Sequence, residues 1–521
     1  MQHDKTKEMA YDANEVPVSM GTTQDIGSNH GLQRQLRPRH LQMIAIGGVI
    51  GTGLFLGTAS DLQHGGPAGL LIGYCIMASL LYSVMVALGE MASQFPIPGG
   101  QFALAGRFTS PELGFAMGIL FWYNYIVVLP AEISAAALLV TFWTPAGQTD
   151  STCSTGICNN AMWVGLMLIV VFAINYAGTR VFGEMEFWFC SIKVVTIIGL
   201  IITGIAGSKG RFLGFFSVLI NAAFAFIGSE ITAIAAAETS NPRKNVPRAI
   251  KSVWIRLVLF YICSAFLIGL LVSPSDPSLN LTSTAANLTS TAAKSPFVIA
   301  IQNSGISVLP SIINAALLTS AWSAGTADLF VSSRTLYGLA TRGHAPKIFL
   351  KTRADGFPWV CFLFCGAFSF LSFMAAAHGE AGTVFGYFSN MTAMCGMISW
   401  TGILWTSIRW NKGLKAQGID RKTLPYMAPL QPYLSYYGIS ICVMVIIFGG
   451  FGSFMPSFDA SSFVTTYFPI PFFAVLFFGY KFWTKSKMVD YAEMDFVTGS
   501  SSEVIEKETA QNLWQKISDR I

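Results

Sequence analysis

The sequence predicts an all-α integral membrane protein with twelve transmembrane helices, and two observations support this prediction. Of the 521 residues, 53% are hydrophobic and only 11% are charged, whereas soluble domains are roughly 25% charged. A span needs about 20 mostly apolar residues, and twelve runs of this kind occur. They fall near 43–63, 67–91, 113–142, 161–180, 184–206, 213–237, 252–272, 308–333, 356–377, 383–408, 433–455 and 463–483.

These runs place one membrane domain, residues 41–483, between two polar tails. Residues 1–40 lack the apolar core of a signal peptide, so we expect a disordered cytosolic N-terminal tail. Residues 484–521 are rich in Ser, Glu and Lys and are expected to form a cytosolic C-terminal tail. Neither tail is long enough to hold a catalytic domain.

The distribution of positive charge predicts the orientation. With both termini inside, 28 of the 32 Lys and Arg residues lie on the inner side, three lie in outer loops and Lys193 lies within a span. Because Lys and Arg concentrate in cytoplasmic loops, both termini are predicted to be cytosolic.

Two features of the predicted outer loops fit this orientation. Asn280 and Asn287 each begin an Asn-Leu-Thr sequence, which is a candidate glycosylation site but also arises by chance in Ser/Thr-rich loops. Cys153 and Cys158 lie close together in another outer loop, where oxidising surroundings favour a disulfide. Unfavourable geometry would forbid that bond.

The first span contains a glycine cluster, "IAIGGVIGTGLFLG", at residues 44–57. Gly weakens a helix by about 1 kcal/mol relative to Ala. One interpretation is close helix packing through small residues. The other is a helix that unwinds at mid-membrane and exposes its backbone to a ligand.

The sixth span favours the second interpretation. Gly228, Ser229 and Glu230 stand near its middle, and a carboxylate at that depth normally faces a cavity or a partner. The two interruptions are five spans apart, as two inverted five-helix repeats would place them. The repeats would cover about 41–206 and 213–408, followed by two extra helices in 433–483.

A pair of broken helices is complementary to an amino acid zwitterion. A half-helix N-terminus offers unpaired N–H groups and positive potential to a carboxylate, and a half-helix C-terminus offers carbonyls to an ammonium group. The predicted carboxylate ligands are Ile50, Gly51, Thr52 and Gly53, and the predicted ammonium ligands are carbonyls near Ala45–Ile46 and Phe224–Ile227.

Several motifs resemble those of fungal amino acid permeases of the amino acid–polyamine–organocation superfamily. The resemblance runs from about residue 32 to residue 499. Its motifs are "GGVIGTGLFLG", "FIGSEITAIAAAETSNPRKNVPRAIK", "SSRTLYGLA", "LPYMAPLQPYLSYYG" and "EMDFVTG".

This resemblance implies a LeuT-like fold with helices 1 and 6 unwound. It also implies proton-coupled uptake of amino acids across the plasma membrane, without a cofactor, a metal or a nucleic-acid partner. The family's aromatic gate corresponds to Phe224, with Phe226 as the second choice. Asp328 stands where bacterial relatives place a gating Trp, which makes it a candidate for side-chain selection. Lys5 and Lys7 are candidate acceptors for ubiquitin ligases whose adaptors bind the tails.

Proton coupling requires an ionisable group inside the membrane, and few are present. Burial penalises charge, so either an acid or a lysine there can exchange protons. The coupling candidates are Lys193, Glu230 and Glu132, with Asp328 and Glu90 as further intramembrane or marginal charges. Each could instead be a paired structural charge. Bacterial relatives use a Lys at the position of Lys193 where sodium-coupled relatives bind sodium.

The substrate range is predicted less sharply than the transport class. Side-chain selection would fall to Glu132, Ser229, Asp328 and Asn390; we favour a broad or neutral range. An acidic pocket at Asp328 would instead suit basic amino acids, polyamines or related amines. An amino acid sensor is the alternative from another class, although the short tails argue against it. No enzyme motif appears.

Overall fold

The computed structural model describes residues 51–97, 99–140, 143, 160–202, 214–231, 242–276, 279, 295–303, 309–376, 381–454 and 457–497. Within these ranges the chain is helical and contains no β-strand. The predicted all-α class is confirmed for this part of the chain.

Fifteen α-helices make up the described ranges, with short π-helical and 3-10 turns beside some of them. The helices are α1 (Thr58–Gln94), α2 (Gly100–Phe108), α3 (Pro111–Val140), α4 (Asn160–Tyr176), α5 (Thr179–Ile202), α6 (Gly214–Phe226), α7 (Pro242–Arg256), α8 (Cys263–Leu271), α9 (Pro296–Asn303), α10 (Leu309–Thr341), α11 (Trp359–Phe368), α12 (Ala381–Ala416), α13 (Tyr433–Phe448), α14 (Ala460–Tyr467) and α15 (Pro469–Thr484). π-Helical turns precede α1 and α8, at Gly53–Gly57 and Leu257–Ile262.

Helix α1 contains the outer part of the first predicted span and all of the second. The chain turns between them at Gly66, whose φ of 64° is left-handed and favours glycine. Pro67 follows directly, where its fixed φ suits the start of a helix. The predicted boundary between residues 63 and 67 is therefore correct.

The helical structure around the seventh predicted span, 252–272, begins before the apolar run itself, whose apolar helix covers Leu257–Leu271. Helix α7 begins at Pro242 and leads through the π-helical turn Leu257–Ile262 into α8. Proline is favoured at the first helical position, where the missing N–H costs nothing. The basic segment after Asn241 is thus helical.

Four helical segments within the described ranges are long and apolar enough to cross a membrane. They are Gly53–Gln94, Pro111–Val140, Tyr433–Phe454 and Ala460–Thr484. Shorter apolar helices cover Asn160–Tyr176, Leu257–Leu271 and Trp359–Ala375. A total of twelve spans stays a prediction.

Helix α3 forms the centre of the bundle, where it packs most extensively against α10 and α12. At its inner end Gly114 faces Gly106 of α2 so closely that a Cβ atom on Gly114 would lie 2.6 Å from the Gly106 Cα. Helix α1 packs most extensively against α6. The position of α3 at the centre and the packing of α1 against α6 bring the predicted site residues of the first, third and sixth spans together.

Part of the predicted C-terminal tail is docked on the helix bundle, beside α2. The Val489 N–H donates to the Thr109 carbonyl at 2.9 Å, and Arg107 pairs with Asp495 at 3.1 Å. Met494 is buried against Gly413 of α12. The described part of this segment is therefore fixed to the membrane domain.

Candidate functional site

The first predicted helix break is described from Gly51 onward, and we call Gly51–Gly53 break one. Gly51 forms a bend, and helical structure begins at Thr52. The Thr52 N–H donates to both carboxylate oxygens of Glu132 on α3, at 3.3 Å each. Ala45, Ile46 and Ile50 lie outside the described residues. Break one thus presents the Thr52 N–H to a carboxylate of the protein, that of Glu132, while binding of a substrate carboxylate there stays a prediction.

The two glycines of break one face different neighbours. A Cβ atom on Gly51 would lie 2.5 Å from Oε1 of Glu132 and 3.2 Å from Cβ of Ala324. A Cβ atom on Gly53 would lie 2.8 Å from the Cα of Ala225 in α6. Gly51 therefore gives the carboxylate room, whereas Gly53 lets the first and sixth spans approach each other. Close helix packing thus accounts for Gly53, and exposure of the backbone near Gly51 to a ligand stays a prediction.

The second predicted break lies at Ile227–Glu230, which we call break six. Helix α6 ends at Phe226, and Gly228 has a left-handed φ of 101°. Glu230 accepts the Gly228 N–H at 3.2 Å and the indole N–H of Trp400 at 3.3 Å. The Ser229 hydroxyl donates to the Phe226 carbonyl at 3.0 Å. Side chains of the protein therefore engage the backbone of this break.

One carbonyl predicted to receive the substrate ammonium accepts a hydrogen bond from the protein itself. The Ala225 carbonyl accepts the Tyr261 hydroxyl at 3.0 Å. Tyr261 comes from the π-helical turn before α8, a part of the chain that sequence spacing could not connect to α6. A carbonyl oxygen has two lone pairs, so this bond leaves the Ala225 carbonyl able to accept one further donor.

The two candidate gate aromatics have different surroundings. Phe224 meets Phe385 of α12 edge to face at 5.7 Å and lies beside Gly53 of break one. Phe226 is fully buried, and its ring stacks on Tyr261 at 4.3 Å. Both residues belong to the buried core, and Phe224 is the one that lies beside Gly53.

A cluster of ionisable side chains adjoins break one. Asp328 of α10 interacts electrostatically with Glu132, with Lys193 of α5 and with Glu186 of α5. Glu186 also accepts the Ser323 hydroxyl at 2.8 Å. The four ionisable groups are at most 7% exposed. Three carboxyl groups and one lysine therefore lie together in a buried site.

Tyr125 connects this cluster to break six. Its hydroxyl group interacts electrostatically with both Glu230 and Asp328, and the residue is 1% exposed. Sequence reasoning missed both Tyr125 and Glu186. Their spacing was the available signal. Tyr125 stands seven residues before Glu132 on α3, and Glu186 stands seven residues before Lys193 on α5, so each pair lies on one helix face.

The remaining predicted substrate residues are less central. Ile227 packs against Gly396 of α12, where an added Cβ would lie 2.3 Å from the Ile227 Cδ1. Asn390 is partly exposed on α12, and the described contacts do not bring it to either break. Cys153, Cys158, Asn280 and Asn287 lie outside the described residues.

Glu90 is a structural charge. It pairs with Arg421 at 2.6 Å and accepts the Trp410 indole N–H at 3.1 Å and the Ala428 N–H at 2.7 Å. These donors satisfy the carboxylate and fix the loop after α12. Glu90 is therefore a tether at the inner end of α1, remote from the two breaks.

The comparison with known proteins agrees with this geometry. The profile of the amino acid permease family matches residues 40–493. The chain belongs to this family. It is a multi-pass membrane protein whose relatives transport amino acids and are not enzymes.

Three similar permeases illustrate how far the family relationship reaches. The dicarboxylic amino acid permease of Saccharomyces cerevisiae is 38% identical over 506 residues, covering 90% of this chain and 80% of the relative. The proline-specific permease of Emericella nidulans is 37% identical over 533 residues, covering 96% and 94%. The lysine-specific permease of S. cerevisiae is 36% identical over 519 residues, covering 93% and 82%. Identity alone does not distinguish the three substrate classes in these names.

Proposed function

We propose that this chain takes up L-amino acids together with protons across the plasma membrane by alternating access, with both termini in the cytosol. The observation that carries the proposal is the contact between the Thr52 N–H and both oxygens of Glu132. It identifies a backbone N–H at a helix break that is suited to a carboxylate.

The substrate carboxylate and Glu132 would compete for this N–H. When an amino acid arrives, Glu132 leaves the Thr52 N–H and loses its donors within a buried site. An unpaired buried carboxylate is costly, whereas a neutral carboxylic acid is much less so. Glu132 therefore takes up a proton as the substrate binds, and coupling follows from the exchange of one carboxylate for another.

The charge balance of the neighbouring cluster supports proton coupling. Glu132, Glu186 and Asp328 share Lys193, so full ionisation would leave excess negative charge in a buried site. Protons offset that excess. Lys193 would stabilise the remaining ionised carboxylate. Because it interacts with both Glu132 and Asp328, the protonation of one would affect the protonation of the other.

A broad or neutral substrate range fits this arrangement better than a basic one. Asp328 interacts electrostatically with Lys193, which offsets part of the negative charge that a cationic substrate side chain would need. Phe224 and Phe385 would cover an apolar substrate side chain. The alternative, a carrier of basic amino acids or polyamines, requires Asp328 to exchange Lys193 for the substrate.

The test uses purified protein in liposomes with an internal pH dye. Wild type should accumulate neutral amino acids when the outside is acidic, with acidification of the lumen. Glu132→Gln keeps an acceptor for the Thr52 N–H but cannot be protonated, so it should exchange substrate while losing pH-driven accumulation by more than about tenfold, or 1.4 kcal/mol.

Glu112→Gln is the matched control, because Glu112 lies buried at the inner end of the same helix and bonds Ser486. It should behave as wild type does. Undiminished pH-driven accumulation by Glu132→Gln would contradict the coupling role. Competition of uptake by each amino acid and by polyamines would decide the substrate range, and competition by polyamines alone would favour the alternative.

A further inference from the structure

A second buried carboxyl group lies outside the site described above. Asp61 is in the first turn of α1, between break one and the turn at Gly66, and it is fully buried. Among the described residues, no donor completes a hydrogen bond with either of its carboxylate oxygens. Asp61 has no part in the exchange between Glu132 and the substrate.

The groups that face Asp61 are neutral and polar. The side chains of Tyr74 on α1 and Asn221 on α6 interact with it without reaching full hydrogen-bond geometry. Tyr261 stands behind Tyr74 and is the other titratable group in this surrounding. His64, one turn after Asp61, is exposed and bonds Ser60 instead. Within the described part of the chain, no cation is placed to neutralise Asp61.

The aromatic residues beside Asp61 connect it to the end of α6. The Tyr74 ring lies 5.8 Å from that of Phe226, and Phe226 stacks on Tyr261 at 4.3 Å. The Tyr261 hydroxyl then donates to the Ala225 carbonyl, just before break six. Asp61 therefore belongs to the first predicted span and lies where this span meets the second, sixth and seventh. The first and the sixth are the two spans that are predicted to be broken.

An ionised carboxylate in this position would lack both water and a counter-charge. That state is expensive, and a neutral carboxylic acid is the favoured form. The Tyr74 hydroxyl, which is also buried without a described partner, can complete a hydrogen bond with either form after a small shift. The cost of ionisation falls only if α1 and α6 separate and admit water.

We propose that Asp61 is a second proton-binding site, which holds a proton while α1 and α6 are packed as seen here and releases it when they separate. The inference rests on the proposed proton coupling, since it assigns a further proton to the same transport cycle. It makes the packing of the two broken spans depend on pH independently of the substrate carboxylate.

The test compares Asp61→Asn with wild type in liposomes, measuring substrate exchange and net uptake over a range of external pH. Asparagine has the shape of the neutral acid and cannot release a proton. We expect exchange to persist and the dependence of net uptake on external pH to flatten. Asp459→Asn is the matched control, because Asp459 is an exposed helix cap and Asn caps equally well. Its pH profile should equal that of wild type.

Two outcomes would overturn the proposal. One is a wild-type pH profile in Asp61→Asn. The other is uptake that depends on sodium ions and loses this dependence in Asp61→Asn, because the site would then bind a metal cation.

If Asp61→Asn fails to fold, Tyr74→Phe replaces it. Loss of the Tyr74 hydroxyl removes a hydrogen-bond donor to the ionised Asp61 carboxylate. The dependence of net uptake on external pH should therefore shift to higher pH. An unshifted profile would overturn the proposal. Wild-type uptake without any pH dependence would instead refute the proposed function.

Discussion

The two predicted helix breaks bind carboxylates of the protein in different ways. At break six the Gly228 N–H is bound by Glu230, two residues later in the chain, with Trp400 as a second donor to the same carboxylate. At break one the Thr52 N–H is bound by Glu132, eighty positions away on α3. A carboxylate that is part of the break can stay with it through the transport cycle, whereas one from another helix can leave. Break six is therefore suited to structure and break one to exchange.

The largest effect should come from Glu230→Ala. This change leaves the Gly228 N–H and the Trp400 indole N–H buried without their acceptor, at about 1–3 kcal/mol for each group. We expect lower thermal stability and no uptake. Glu230→Gln, which keeps an acceptor, should restore most of the stability. A stable Glu230→Ala protein that still transports would show that break six does not depend on its own carboxylate.

A smaller effect is expected at Gly53. The valine side chain of Gly53→Val would meet the backbone of Ala225, which cannot move aside as a side chain can, so we expect about 1–3 kcal/mol of destabilisation. Thermal unfolding followed by size-exclusion chromatography would measure it.

Gly51→Ala is the companion variant, because its methyl group meets the side chains of Glu132 and Ala324. It should fold normally and transport poorly, since the carboxylate is displaced from Thr52. Equal destabilisation by the two changes would contradict the different roles of these glycines.

The sequence was sufficient to predict local features of the site. The turn near Gly66 depends on the conformation of a glycine. The break at Gly228–Glu230 depends on a glycine and on a carboxylate within an apolar run. Both signals come from residues adjacent in sequence. The contact between Thr52 and Glu132 was not predictable in detail, because it joins two helices far apart in sequence. For the same reason, the Tyr261 hydroxyl on the Ala225 carbonyl was not foreseen.

Asp61 and Pro242 show two other reasons why sequence alone leaves features of this structure unpredicted. Asp61 stands near the outer end of an apolar run, where a carboxylate is normally assumed to reach water, and only the packing of α6 against α1 buries it. Pro242 can either end a helix or begin one, and the adjoining sequence did not decide between them. In contrast, Glu186 and Tyr125 could have been predicted from the sequence, because they lie two helical turns before Lys193 and Glu132, respectively.

The most direct test of exchange at break one is proton uptake during substrate binding. Purified protein in weakly buffered detergent solution would be mixed with an amino acid that it transports, or with the corresponding carboxamide, while a dye reports pH. If the substrate carboxylate displaces Glu132 from the Thr52 N–H, wild type takes up a proton with the amino acid and not with the carboxamide. Glu132→Gln then takes up none with either. Equal proton uptake by wild type and Glu132→Gln, or binding by wild type without any, would contradict this account.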